Sequence, residues 1–156
     1  MRERGRAAVI LLAEDNVADQ KITRRALQRG KVRNDLRVVC DGEECLDYLF
    51  HRGRYGDPNE APRPDVLLLD LNMPKVDGRE VLAEMRRAPE LSSIRVVVLT
   101  TSQQEEDILK TYDLGVQSYI VKPLDLEQFV KVVATFAEYW LEVVVLPPRT
   151  DRDPPA

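Results

Sequence analysis

The sequence predicts an α/β fold built on a doubly wound, five-stranded parallel sheet. Two observations carry that expectation. Five short apolar runs alternate with stretches whose apolar residues recur at helical spacing, and each run stops at polar residues. Strands alternating with helices imply parallel strands covered on both faces. The third run is the most telling. Val66 to Leu69 is uninterrupted Val-Leu-Leu-Leu, the pattern of a strand buried on both sides. It ends in Asp70, followed by Asn72 and by Pro74, which cannot continue a ladder. A carboxylate at the end of a fully buried strand is costly unless something there uses it. One acidic residue after a strand is ordinarily a turn cap, so the other strand ends decide the matter.

The elements follow in order. Val9 to Ala13 forms the first strand and stops at Glu14-Asp15-Asn16. Ala18, Ile22 and Ala26 recur every fourth residue as a helical stripe, and Gly30 suits its stop. Leu36 to Cys40 is the second strand; Asp41-Gly42 turns the chain. Cys45, Leu46, Leu49 and Phe50 give the next helix its apolar face. Gly53 to Pro64 holds two glycines and three prolines, so it is expected to be a loop, a spacer at the end of the sheet remote from Asp70. After Asp70, Val76-Asp77-Gly78 leads into a helix with Val81, Leu82, Met85 and Ala88 on one side. Ile94 to Leu99 is the fourth strand, ending in Thr100-Thr101-Ser102. Ile108, Leu109 and Tyr112 mark a fourth helix, stopped at Gly115. Ser118 to Val121 is the fifth strand, ending at Lys122-Pro123. Asp125 can cap a last helix that runs from about Leu126 beyond Trp140. Residues 1–146 are expected to form one domain, and the proline-rich 147–156 a disordered tail.

Five such units suit the flavodoxin-like strand order 2-1-3-4-5. In that order ligands bind at the carboxyl ends of strands 1 and 3, where the winding reverses. Glu14, Asp15 and Asp70 would meet there, with Thr100 and Lys122 on the same rim. Three carboxylates repel one another and one lysine cannot neutralise them, whereas a hard divalent cation can. Mg²⁺ takes oxygen ligands in an octahedron, so Glu14 and Asp15 are the expected holders, joined by Asp70 and the backbone carbonyl of Asn72. Asp70 is then free to act as a nucleophile, since carboxylates form aspartyl-phosphate intermediates. The metal and the Lys122 ammonium would stabilise charge on a transferring phosphoryl group, and Thr100 could donate to the resulting phosphate. Lys122 or Thr100 alone would be a solvated lysine or an ordinary strand end; five such residues at strand ends are not ordinary.

Those residues resemble the receiver domain of two-component response regulators over about Ala8 to Leu141. The matching motifs are Glu14-Asp15-Asn16, Leu69-Asp70-Leu71-Asn72-Met73-Pro74, Asp77-Gly78, Thr100-Thr101, Tyr119 and Lys122-Pro123. The resemblance implies that Asp70 accepts a phosphoryl group from a histidine kinase, that Glu14 and Asp15 bind Mg²⁺, and that Thr100 and Tyr119 form the switch. It also implies a cis Lys122-Pro123 bond and output through a downstream protein or phosphotransfer partner. Leu99-Thr100-Thr101-Ser102, Tyr139-Trp140-Leu141 and Leu146-Pro147 are similar to the small receivers that partner bacterial phytochrome kinases.

Other classes fit less well. A phosphatase of the haloacid-dehalogenase type would need a second Asp two residues after Asp70 as general acid, and Asn72 stands there. An FMN binder would need a phosphate-cradling loop after the first strand, where Glu14 and Asp15 would repel phosphate. A receiver-like module that never takes phosphate would not need all five strand-end residues. The net charge of −4 argues against a nucleic-acid surface. No stretch approaches the ~20 apolar residues of a membrane span, and Met1 to Arg6 lacks the core of a signal peptide. With two cysteines, Cys40 and Cys45, and no disulfide framework, a reducing cytoplasm is the expected location. His51, the single histidine, is expected at a helix end.

The last helix predicts a homodimer. Leu126, Val130, Val133, Ala137 and Trp140 share one arc, and Phe129, Val132, Phe136, Tyr139 and Val143 extend it on one flank. That arc spans roughly 200°, about twice what covering one sheet requires. Either Val143 to Leu146 folds back over the surplus or another chain covers it; exposed apolar patches of this kind usually mark an interface, and the resemblance to the phytochrome-partner receivers implies a symmetric homodimer.

Overall fold

The computed structural model describes residues 7–28, 34–71, 73–100, 118–121, 127, 128 and 131 of the chain. Its five strands are β1 Ala8–Ala13, β2 Asn34–Val39, β3 Val66–Asp70, β4 Arg95–Thr100 and β5 Ser118–Val121. They form one parallel sheet in the order β2-β1-β3-β4-β5. This is the doubly wound arrangement expected from the sequence.

The central strands are apolar on both faces because both faces are covered. All six residues of β1 and all five of β3 are buried, whereas edge strand β2 is mostly half-exposed. Side chains alternate across the pleat, so each strand feeds two cores. Ile10, Leu12, Val66, Leu68, Val97 and Leu99 pack with Ala26 and Leu27 of α1 (Val17–Gln28). Leu11, Ala13, Leu67, Leu69, Val96 and Val98 pack with α2 (Gly42–Leu49) and α3 (Gly78–Arg86). Burying one such aliphatic side chain contributes roughly 1.5–3 kcal/mol. The inner strands are thereby held rigidly, and their carboxyl ends lie at a defined place.

Several boundaries differ from expectation. β2 stops at Val39, and Cys40 bends away with its N–H donated to a Glu44 carboxylate oxygen at 2.7 Å. β4 starts at Arg95, because the Ile94 N–H instead bonds Leu91 in a 3₁₀ turn, Pro89–Leu91. The α1 stripe is shifted: Ala18 is exposed, and Thr23, Ala26 and Leu27 are the buried residues. Thr23 tolerates burial because its hydroxyl donates to the Asp19 carbonyl at 2.8 Å. Asp41-Gly42 is not a separate turn: Asp41 caps α2 and Gly42 is its first residue. α3 ends at Arg86, so Ala88 joins the core from beyond the helix.

The largest correction concerns residues 53–64. This segment is a built part of the domain and not a spacer. α2 has only two turns, and His51 (φ 55°) and Gly53 (φ 57°) then adopt left-handed backbone and reverse the chain. A 3₁₀ turn, Gly53–Tyr55, returns along α2 toward its N-terminus, so Arg54 and Tyr55 meet Glu44 beside the Asp70 end of the sheet. The remainder closes over the core. Ala61 is fully buried, Tyr48 donates its hydroxyl to the Pro62 carbonyl at 2.8 Å, and the His51 ring meets the Ala61 carbonyl at 2.8 Å. Tyr48 and Tyr55 pack with centroids 5.2 Å apart.

Removing the Tyr48 hydroxyl tests that closure. Tyr48→Phe keeps the buried ring and should lower stability by about 1 kcal/mol in urea denaturation at pH 7. Burial is the main reason the Tyr48 phenol is pushed up from 10.0 to about 12. The folded chain therefore keeps a proton that the unfolded chain gives up. That contribution is complete below pH ~10 and is lost as pH rises toward 12. Tyr48→Phe should lose less stability across this window. The same midpoint at pH 7 with the same alkaline slope would return the segment to a spacer.

Candidate functional site

Strands β1 and β3 deliver the acidic residues to one place. β1 and β3 are neighbours, with Ala13 level with Leu69, so Glu14 and Asp70 leave the sheet side by side. Glu14 is 1% exposed and Asp70 6% exposed, while Asp15 faces solvent. One carboxylate oxygen from each of Glu14, Asp15 and Asp70 lies within 4.8 Å of the others. The sequence named these three, and the structure brings them together.

Local hydrogen bonds set the orientation. The Glu14 N–H donates to the Val39 carbonyl at 3.0 Å, extending the sheet one residue past β1. Its carboxylate accepts the Asn16 N–H at 3.2 Å, and its carbonyl accepts the Gln20 side-chain amide at 2.6 Å. Asn16 in turn accepts the Asp19 N–H at 2.9 Å, starting α1 directly beside the site. On the other side, Leu71 donates to the Leu99 carbonyl at 3.1 Å and accepts from Gly78 at 3.0 Å. Asp77 starts α3 with a capping box shared with Glu80.

Electrostatics determine what this arrangement can hold. Two like charges within 4.8 Å of each other repel by roughly 3 kcal/mol or more at an effective dielectric of ~20, and by less where Asp15 is solvated. The donor set is entirely hard oxygen, and one member is open to water. This fits an octahedral divalent cation that keeps several water ligands; it does not suit a soft metal.

The remaining expected residues stand as follows. Thr100 ends β4 and Tyr119 lies within β5, next to β4 in the sheet, with their backbones alone described. Asn72, Lys122 and the expected cis Lys122-Pro123 bond lie outside the described residues, as do Phe129, Val132, Phe136, Tyr139, Val143 and the 147–156 tail. Sequence reading overlooked Gln20, whose amide braces Glu14, and Lys75, which takes left-handed backbone (φ 67°) on the rim. The Lys75 ammonium sits 3.6 Å from Asp41 and 3.5 Å from Glu43, and these neighbours, Asp41 first, raise its pKa. A glutamine one helical turn past an acidic strand end is the only signal that could have marked Gln20.

Asp15→Asn should raise stability in chelator by a few tenths of a kcal/mol, because it relieves repulsion at a partly solvated position. It should also remove most of the stabilisation that millimolar Mg²⁺ gives the wild type. Thermal unfolding with and without the ion checks both arms, and an Asn variant that responds as the wild type does would place the cation elsewhere.

The family model for the response regulator receiver domain matches residues 10–134. The response regulator Rcp1 of Synechocystis sp. is 42% identical over 139 residues, covering 89% of this chain and 92% of its own length. The crystal structure of the phosphorylated cyanobacterial phytochrome response regulator RcpA superposes with a TM-score of 0.85 at 45% identity, covering 91% of this chain and 99% of that one. The Mn²⁺-bound form of Rcp1 gives 0.83 at 42% identity, covering 90% and 99%. The match spans the sheet and all three acidic residues: the chain belongs to the response regulator receiver domain family.

Proposed function

We propose that this chain accepts a phosphoryl group on Asp70 from a histidine kinase and signals by changing its protein contacts. The observation that carries this reading is the convergence of Glu14, Asp15 and Asp70 carboxylates within 4.8 Å, with Asp70 at the end of a buried strand. An Asp70 carboxylate oxygen attacks the phosphorus of a phosphohistidine. The P–N bond breaks, its electron pair goes to the imidazole, and an aspartyl phosphate remains. Glu14 and Asp15 would hold Mg²⁺ together with Asp70 and the Asn72 carbonyl. When bound, the ion supplies positive charge against the phosphoryl oxygens. Lys122, which directly follows β5 in the sequence, would add an ammonium, and water later returns Asp70 to its carboxylate. Turnover is confined to this self-catalysed loading and loss at Asp70.

The similarity to Rcp1 and RcpA supports a bacterial phytochrome as the source of the phosphoryl group. A cytoplasmic location suits such a kinase partner, and among the described residues no helix is long and apolar enough to cross a membrane. Thr100 and Tyr119 would report the new charge, since a phosphate biases any hydroxyl that can reach it. The 200° apolar arc through Phe129, Val132, Phe136, Tyr139 and Val143 supports a symmetric homodimer through the last helix.

Incubation with a small phosphodonor or a cognate kinase should give acid-stable, hydroxylamine-sensitive label that Asp70→Asn and excess chelator abolish. Thr100→Ala should take up label yet bind a downstream target as the unphosphorylated form does. Label of equal strength in Asp70→Asn would overturn the assignment. For the dimer, Phe136→Glu should convert the wild-type dimer into a folded monomer in light scattering. A wild type that is monomeric at high micromolar concentration, with or without phosphate, would contradict the pairing.

A further inference from the structure

The loop that follows Asp70 is pressed against the first turn of α2. Gly42 opens that helix, and a Cβ on it would lie 1.7 Å from the Val76 carbonyl oxygen and 2.6 Å from the Val76 carbonyl carbon. Both contacts are with backbone, so no side-chain rotation relieves them. Gly42 is thus present because another strand of backbone passes where its side chain would be. At the far end of the same loop, a Cβ on Gly78 would lie 2.7 Å from the Asp70 carbonyl oxygen, and the Gly78 N–H bonds Leu71 at 3.0 Å. The backbone is therefore hemmed in at Asp70–Leu71 and again at Val76.

Between these two points, Lys75 holds the left-handed region at φ 67°, which a lysine seldom adopts. Its ammonium faces Asp41 and Glu43 of the α2 N-terminus. Exposed pairs of this kind contribute little by themselves; the backbone contact at Gly42 is the stiff element. The turn that presses on the loop is itself braced. Asp41 accepts the Glu44 N–H at 2.7 Å, and the Glu44 carboxylate accepts from Cys40 and from the Tyr55 hydroxyl and faces Arg54.

We propose that Gly42 and Lys75 are positioning residues, through which the first turn of α2 sets the reach of the 71–77 loop and so tunes the divalent-cation affinity of the Glu14, Asp15 and Asp70 site. This rests on the metal-binding reading above, in which residue 72, between those two points, lends its carbonyl. Residues that orient metal ligands typically change affinity by about 10–100-fold when altered.

The test measures Mn²⁺ and Mg²⁺ binding to the full chain by calorimetry, without phosphodonor. Gly42→Ala should weaken binding about tenfold, even though alanine is the better helix former at that position. Lys75→Gly, which keeps the left-handed backbone at no steric cost and drops both ion pairs, should fold and weaken binding by about two- to threefold, with faster amide exchange at Gly78 in the metal-free chain. Leu91→Ala empties buried core just before β4, at the end of the sheet opposite Asp70; it should lower thermal stability and leave affinity unchanged. Wild-type affinity in both Gly42→Ala and Lys75→Gly, or equal weakening in Leu91→Ala, would overturn the proposal while leaving the metal site standing. Wild-type affinity in Asp15→Asn would overturn the metal-binding reading, and this proposal with it.

Discussion

Mutual repulsion among Glu14, Asp15 and Asp70 is the constraint on which the rest of this structure depends. Two of the three carboxylates are almost fully buried, where bringing like charges together is most costly. A chain selected for stability alone would place apolar or hydroxyl side chains there. The sheet offsets the cost by surrounding the site with rigid, fully buried strands, so that the strain is held in one place. A divalent cation held among the three carboxylates would relieve that repulsion.

Three helix starts converge on that site, and each is secured by its own cap. Asn16 starts α1, Asp41 starts α2 and Asp77 starts α3. The N-terminal ends of these helices carry partial positive charge, which partly offsets the field of the carboxylates. The same caps position the loops between strand and helix. The chain uses side chains of Asn and Asp for two purposes at once, ending a strand connection and shaping the rim of a binding site. Segment 53–64 extends this logic outward, because Tyr55 and Arg54 tie the insertion to Glu44, one hydrogen bond away from the Asp41 cap.

The strand order and the three acidic residues were legible because they rest on short-range patterns. Val66–Leu69 read as a two-sided strand, and the carboxylate at its end pointed to a site once Glu14 and Asp15 stood at the end of the first strand. The family motifs made the match specific. Contacts between segments distant in sequence were not legible. Gly42 read as a turn residue, since nothing in Asp41-Gly42 discloses the Val76 carbonyl lying against it. The prolines and glycines of 53–64 read as a spacer, because composition marks irregular backbone and is silent on whether that backbone packs. Ala18 was placed on the buried face of α1 and Thr23 was not, since a hydroxyl that bonds the carbonyl four residues earlier can enter a core that a hydropathy pattern reserves for apolar groups.

The central claim is that the strand-end carboxylates, and not another acidic cluster, take up the divalent ion. A second group of acids, Asp41, Glu43, Glu44 and Asp47, lines a surface pocket of about 220 Å³ with Lys75 and Arg54. It is the natural competitor. Carboxyl-carbon chemical shifts followed by NMR through a Mg²⁺ titration separate the two. The account predicts that Glu14, Asp15 and Asp70 move together along one saturating curve, while Glu43 and Asp47 stay within the small changes caused by ionic strength. Saturating shifts at Glu43 and Asp47, with Glu14 and Asp70 unmoved, would contradict it.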